Sequence, residues 1–145
     1  MSPRPPGPPV VTIELAQRIE RVATSFQVRR MEGIAAQPGN PFGIEIERLD
    51  SGATLLLAKD LSLDWMNTAY GVSTLAACDQ ALALFTRFDV KPRFDMLPGN
   101  LTSELAVRLA NSGLRQSMFH CALYGSPAND DISNGRDLRV RAVGG

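Results

Sequence analysis

The chain has few of the residues that support disulfide, metal or long-range electrostatic chemistry. Its 145 residues include two cysteines, one histidine and one tryptophan, and its fifteen basic and fifteen acidic side chains cancel. A net charge of zero gives no overall field that would attract nucleic acid or an anionic membrane, so neither is expected as a partner. Cys78 and Cys121 lack the spacing of metal ligands, which predicts two buried free thiols and no metal site.

Long apolar runs are also missing. No segment approaches the ~18 consecutive apolar residues that cross a bilayer. Residues 1–9 contain five prolines and one arginine, and they lack the apolar centre of a signal peptide. Residues 1–11 are therefore expected to form a disordered, proline-rich arm. These absences together predict a soluble, cytoplasmic protein.

Hydrophobic periodicity in the first half of the chain predicts a helix followed by a hairpin. Thr12 is placed as an N-cap, and the helix that follows it is expected to bury one apolar stripe. The residues of that stripe are Leu15, Ile19, Val22 and Phe26. Alternating apolar residues from Phe42 to Ile46 predict a strand, and residues 50–52 turn it into a second strand over residues 53–58.

The second half predicts a strand, helix, strand unit and then a further helix and strand. Residues 63–72 are apolar enough for a buried strand, and residues 93–97 are expected to form its parallel neighbour. The helix between them carries its apolar stripe on Leu75, Cys78, Leu82 and Phe85. A second helix is expected over residues 102–112 with Gly113 as its C-cap, and a last strand over residues 116–124.

This order of elements predicts an α/β fold, in which a mixed central sheet has flanking helices and the hairpin forms an antiparallel edge. The domain is expected to span residues 12–125. Residues 126–145 are rich in Pro, Asn, Asp and Gly, then show a new apolar alternation. They are predicted to be a linker or the start of a missing second domain.

Four strings in this order resemble the GNAT superfamily of acyl-CoA N-acyltransferases, and more closely the N-terminal domain of tandem GNAT proteins. They are NPFGIEIER at residues 40–48, WMNTAYGV at 65–72, PRFDMLP at 92–98 and AVRLANSGL at 106–114. The resemblance implies an acyl-CoA N-acyltransferase-like fold, with acetyl-CoA as cofactor and an amine as acceptor. It also implies a partner, which is either a catalytic GNAT domain or a second copy of the chain.

Two features of an active acyltransferase are not found at the matching positions. The family's cofactor turn, R/Q-x-x-G-x-G/A, would follow Val72, where this chain has a single nearby glycine, Gly71. A turn with bulky side chains cannot bring several backbone N–H groups onto a pyrophosphate. The family's acid tyrosine would fall at Leu109, which has no proton to donate. Acetyl-CoA is therefore expected to bind to a second domain rather than to this one.

Other residues are candidates for the vacant roles. Tyr70 and Tyr124 are weak candidates for the acid. The backbone of Ala69, Tyr70, Gly71 and Val72 is the candidate cofactor site, and Trp65, Asn67 and Arg93 are candidates for a substrate cleft. Simpler roles compete with these, because Trp65 and Tyr70 are also suited to core packing and Arg93 to an ion pair. His120 is more simply a hydrogen-bonded sheet residue, and Glu45 and Glu47 are more simply solvated.

Three functions remain open from the sequence. The first is the non-catalytic N-terminal half of a tandem N-acetyltransferase, which supports or shapes the substrate site of a catalytic half. The second is an acetyl-CoA-dependent N-acyltransferase that acts on a small amine. The third is a dimerising ligand-binding module. No acidic or aromatic cage for an amine is recognisable in the sequence.

Overall fold

A four-stranded mixed sheet organises the chain, with helices packed on both of its faces. The structure is a computed structural model, and it describes residues 10–61 and 63–120. The helices of this part are α1 (Ile13–Ala35), α2 (Leu75–Arg87) and α3 (Ser103–Asn111), and the strands are β1 (Ile44–Arg48), β2 (Thr54–Ala58), β3 (Thr68–Tyr70) and β4 (Phe94–Asp95). The predicted mixed α/β fold is confirmed at this level.

The strands lie in the order β1, β2, β3, β4. β1 and β2 form the predicted antiparallel hairpin, and β2 is also antiparallel to β3. β3 and β4 are parallel, with Ala69 opposite Phe94 and Tyr70 opposite Asp95. The α2 connection thus joins two parallel neighbours, as the periodicity of residues 63–97 predicts.

Alternation along β2 separates two apolar cores. Leu55 and Leu57 point to the side of α2 and α3, where Phe85 and Leu105 are also buried. On the other side of the sheet lies the core of α1, formed by Met31, Ile44, Leu56 and Ala58. Because β2 is an inner strand with a core on each side, both of its faces are apolar and its sequence is a nearly continuous run of hydrophobic residues.

Threonine begins each of the three helices in the described part of the chain. Each Thr hydroxyl accepts a hydrogen bond from a backbone N–H three residues later: Thr12 from Leu15 at 3.2 Å, Thr74 from Ala77 at 3.1 Å, and Thr102 from Leu105 at 3.2 Å. The side-chain oxygen replaces a partner that the first turn of a helix lacks, which typically contributes about 1 kcal/mol. Gly113 ends α3 with a φ of +78°, as predicted from its position.

The strand predicted for residues 63–72 is much shorter in the structure. Its first part is a 3₁₀ turn, Asp64–Met66, and β3 contains three residues only. The N–H groups of Met66 and Asn67 bond back to the carbonyls of Leu63 and Asp64, at 2.9 and 3.2 Å. These local bonds use backbone groups that a strand would offer to its neighbours.

Two other predicted strands also change. The strand expected over residues 93–97 shrinks to two residues, since the Asn100 N–H bonds to Leu97 O at 2.8 Å and Pro98 begins a 3₁₀ turn, Pro98–Asn100. Residues 116–120 are not in a strand, which corrects the prediction for that part. The rest of that strand, residues 121–124, lies outside the described residues, as do residues 1–9 and 126–145.

The apolar stripes of the helices are partly rotated from their predicted positions. In α1, Val22 and Phe26 are exposed, and the helix buries Met31 instead, where it approaches β1. In α2, Cys78 and Phe85 are buried as predicted, but Leu75 is exposed and Ala77 and Ala81 are buried. Small side chains allow close packing of α2 on the sheet, a feature that a search for large apolar residues overlooks.

Candidate functional site

The carboxyl ends of the two parallel strands bring titratable side chains together. Tyr70 is the last residue of β3 and Asp95 the last of β4, and they are opposite each other in the register. Tyr70 packs against the α1-side core, and α1 places Glu20 near the same point. Glu20, Tyr70, Gly71 and Asp95 are called the strand-end cluster below. In α/β sheets this edge is where ligands usually bind.

Burial raises the pKa of Glu20. The nearby N–H of Gly71 lowers this pKa, the carboxylate of Asp95 raises it, and the guanidinium of Arg21 lowers it. The net direction is upward, because desolvation of the charged carboxylate is the largest effect. Glu20 is therefore held near the strand ends at a cost in free energy whenever it is charged.

Burial also raises the pKa of Tyr70, and the carboxylate of Asp95 raises it further. Hydrogen bonding with Thr68 and the guanidinium groups of Arg93 and Arg30 act in the opposite direction. The net upward direction keeps the phenol protonated at neutral pH, since its ordinary pKa is already about 10. Tyr70 can thus donate a proton or a hydrogen bond, but it cannot serve as an anionic base.

The turn between β3 and α2 follows directly. Gly71 has a φ of +71°, and a side chain at this position would contact the carbonyl of Gly52 and the Cα of Ala53 at 3.7 Å. Glycine is required here because L-residues rarely adopt this φ. Val72 is buried, and Leu75 is exposed at the start of α2. The turn of residues 71–74 thus contains a single glycine, and the bulky Val72 and Leu75 lie around the point where an anion would have to meet the N-terminus of α2.

The other cofactor and cleft candidates have partners within the fold. Ala69 is buried in β3, and its N–H donates to the carbonyl of Arg93 at 2.9 Å. Asn67 is buried, and its Oδ1 accepts the N–H of Ala58 at 2.8 Å. This side chain ties β2 to the segment before β3. A structural role therefore accounts for Asn67 without a substrate.

Trp65 and Arg93 both contact other side chains near the surface of the protein. Trp65 is 50% exposed, with the guanidinium of Arg30 at 5.9 Å from its ring centre. The Nη2 of Arg93 lies 3.7 Å from the Sδ of Met118 and 3.4 Å from the Nε2 of His120. Arg93 also influences Tyr70 electrostatically, so it belongs to the surroundings of the strand-end cluster. His120 is exposed and outside any strand.

The remaining candidates are separated from the cluster. Glu45 forms an ion pair with Lys59 at 3.0 Å. Leu109 packs against the core on the α2 and α3 side, which is the opposite face of the sheet from Tyr70. It occupies the position at which the resemblance to the family would place the acid tyrosine. Tyr124 lies outside the described residues. The structure thus brings Tyr70, Gly71 and Arg93 into one region, uses Asn67 in a bond to β2, and places Leu109 on the other face of the sheet.

Sequence reasoning missed Glu20 and Asp95. Asp95 could have been found, because a polar residue at the carboxyl end of a strand in a parallel pair meets its neighbour's last residue. Nothing in the sequence indicated Glu20, since its distance from the strand ends depends on how α1 packs on the sheet. Together with Tyr70 the two carboxylates form an acidic and aromatic group, although none was recognisable in the sequence.

A separate groove of about 560 Å³ lies between the C-terminal end of α2, α3 and the segment before β4, and it includes no residue of the strand-end cluster. Within residues 10–61 and 63–120, no group of three His, Cys, Asp or Glu side chains could hold a metal ion. In the same part of the chain, none of the helices is both long enough and apolar enough to cross a membrane.

Comparisons of the chain with protein-family models, with curated proteins and with solved structures found no match. The structure itself defines a mixed α/β domain with a four-stranded sheet, three described helices and an acidic cluster at the ends of its parallel strands. A family assignment rests on the resemblance of the four sequence strings alone.

Proposed function

We propose that the chain is a GNAT-like domain that acts as the non-catalytic N-terminal half of a tandem N-acetyltransferase and shapes the substrate site of a catalytic half. The observation that carries this proposal is the position of Glu20. Its carboxyl group lies near the N–H of Gly71, on the turn where the pyrophosphate of acetyl-CoA would have to approach. The cofactor would then be bound by the partner domain.

The carboxylates of Glu20 and Asp95 at this turn disfavour an anionic cofactor, while Arg21, Arg30 and Arg93 act in the opposite direction. Two unit charges of the same sign 4–6 Å apart repel by roughly 3–4 kcal/mol at an effective dielectric constant of about 20. Each 1.4 kcal/mol weakens binding about tenfold, so one such pair is enough to weaken a micromolar site by two to three orders of magnitude. The single glycine of the turn adds to this, because few backbone N–H groups can converge there.

The same charges favour an amine. A protonated amine near Glu20 and Asp95 would offset the desolvation that raises the pKa of Glu20. The Tyr70 phenol can meanwhile hydrogen-bond to a neutral polar group of the substrate. A domain that contributes carboxylates to amine recognition and leaves acetyl-CoA to its partner fits the proposed role.

The test is titration calorimetry of the chain with acetyl-CoA, followed by a thiol-release assay over a panel of primary amines. We expect dissociation constants no tighter than millimolar and no turnover. Glu20→Gln removes the negative charge but leaves the turn unchanged. We expect the affinity of this variant for acetyl-CoA to stay outside the low micromolar range, because the turn still has only one glycine. Low micromolar binding to the unmodified chain would overturn the proposal.

A second candidate is an acetyl-CoA-dependent N-acyltransferase with Tyr70 as its acid. The protonated phenol at the ends of the parallel strands favours this candidate. It predicts turnover in the thiol-release assay that disappears in Tyr70→Phe but survives in Tyr124→Phe. Such a result would place the enzyme first.

A further inference from the structure

The outward face of α1 carries an apolar groove framed by arginines. It is an open depression of about 370 Å³ between side chains of this one helix, lined by Arg18, Arg21, Val22, Ser25, Phe26 and Arg29. Val22 is 65% exposed and Phe26 63% exposed, so both side chains are largely accessible. This surface is called the α1 groove below.

The α1 groove faces away from the sheet. At 100° per residue, Val22 and Phe26 lie about half a helical turn from Met31, which is buried against β1. Arg18, Val22, Ser25 and Arg29 follow spacings of four, three and four, which is the pattern of a helix seam that meets another helix. The Met31 side of α1 packs on the sheet, so these residues are left on the outward side of the helix.

The arginines of the α1 groove form no ion pair among the described residues, although Arg21 lies close enough to Glu20 to lower the pKa of its carboxyl group. The four ion pairs found among the described residues involve Arg48, Lys59, Lys91 and Arg108, and none of them uses an arginine of the groove. No carboxylate lines the groove either. An occupant with acidic side chains would therefore gain charge-assisted hydrogen bonds that the described part of the chain does not supply.

We propose that the α1 groove binds an acidic amphipathic helix of a partner protein. Apolar side chains of that helix, three and four residues apart, would pack on Val22 and Phe26, and its flanking Glu or Asp residues would pair with Arg18, Arg21 and Arg29. A second copy of this chain fits less well, because antiparallel pairing of two such faces would bring arginines together. A lipid surface fits less well too, since two large apolar side chains make a narrow face for insertion.

This inference does not rest on the acetyl-CoA question, because Glu20 is not among the residues that line the α1 groove. The probe is a fluorescent designed peptide of about five helical turns, with leucines three and four residues apart and glutamates beside them. One control peptide has the same composition in scrambled order. Another has lysine in place of every glutamate. Fluorescence anisotropy with the full chain measures each affinity.

We expect micromolar binding of the acidic peptide and at least tenfold weaker binding of both control peptides. Phe26→Ser should weaken the acidic peptide at least tenfold. The triple variant Arg18→Glu, Arg21→Glu and Arg29→Glu reverses the charge of the groove. It should no longer bind the acidic peptide and should bind the lysine peptide instead. Arg115→Glu, an exposed arginine outside the groove, should leave the affinity unchanged. All groove positions are exposed, so circular dichroism should show unaltered folding.

Three outcomes would overturn the inference. The first is equal affinity for the acidic and the scrambled peptide. The second is tight binding to vesicles of phosphatidylserine and phosphatidylcholine that is lost in Phe26→Ser, which would indicate a membrane surface. The third is a dimer in light scattering that dissociates in Phe26→Ser, which would indicate a second copy of the chain.

Discussion

Truncation of Phe85 to alanine should remove the largest single contribution of α2 to the core. Phe85 is 1% exposed, and its ring meets that of Phe94 edge to face, with 5.7 Å between the ring centres and 62° between the planes. This contact fastens α2 to β4, the edge strand of the parallel pair. The substitution therefore tests whether α2 packs on the sheet through the face that the structure shows.

The magnitude follows from burial and cavity formation. Phe→Ala in a core typically lowers the free energy of unfolding by about 3–5 kcal/mol, because the lost transfer energy is joined by the cost of the cavity. An edge-to-face pair is worth about 0.5–1.5 kcal/mol beyond the buried area, which places Phe85→Ala in the upper part of that range. With a urea m-value of about 1.5–2 kcal/mol per molar, the midpoint should fall by roughly 2–3 M.

Urea denaturation followed by circular dichroism measures the change. Phe26→Ala is the matched control, since it removes the same atoms from a ring that is 63% exposed, and it should cost less than about 1 kcal/mol. Arg87→Ala is a second control on α2 itself. It loses only the stacking of its guanidinium 5.3 Å from the Phe88 ring, about 0.5–1 kcal/mol. Equal midpoints for Phe85→Ala and Phe26→Ala would refute the assigned packing of α2.

Two further predictions concern polar groups at the sheet. Asn67→Ala should lower the free energy of unfolding, measured by urea denaturation, by about 1–3 kcal/mol, because the buried N–H of Ala58 loses its acceptor. Asn111 is exposed, so Asn111→Ala should change the free energy of unfolding little. Equal effects of the two substitutions would contradict the assigned hydrogen bond. In the unmodified chain the folded-state pKa of Glu20 lies above its ordinary value, so the protonated carboxyl stabilises the fold at low pH, and this contribution is lost as pH rises through the folded pKa. Glu20→Gln has no carboxyl group to lose a proton. Its stability relative to the unmodified chain should therefore increase as pH rises. Denaturation at pH 4 and pH 7 measures this difference, and a larger advantage of the glutamine variant at pH 4 would reverse the sign of the argument.

Local patterns in the sequence predicted the parts of the fold that depend on local interactions. The hairpin followed from alternation on both sides of residues 50–52, and the helix starts followed from Thr12 and from the apolar run after it. The parallel pair followed from one long apolar helix between two short apolar segments. In the hairpin and at the helix starts, neighbours in sequence are also neighbours in space, so periodicity was sufficient. The parallel pair joins distant residues, such as Ala69 and Phe94, and was predicted from the strand, helix, strand order instead.

The lengths of the strands and the candidate site depended on contacts that periodicity does not contain. Residues 63–67 are apolar enough for a strand, but turn bonds of Met66 and Asn67 compete for the same backbone groups. Glu20 is one polar residue among several on α1, and only the docking of the helix brings it to Gly71. Val22 and Phe26 were expected in a core, yet both are exposed, because α1 packs on the sheet through the opposite side, where Met31 is buried.

The charge of the chain has to be considered locally rather than in total. Glu20 faces the sheet, whereas Arg18, Arg21 and Arg29 line the outer groove, so α1 presents opposite charges on its two sides. The net charge of the whole chain is zero, so it does not reveal these local charges. A net charge of zero excludes electrostatic attraction over long distances, but it does not exclude a local charged patch. At physiological ionic strength, charges are screened beyond about 8 Å. We therefore expect an acidic helix to bind on the side of α1 that carries Arg18, Arg21 and Arg29, and an amine to bind near Glu20 and Asp95.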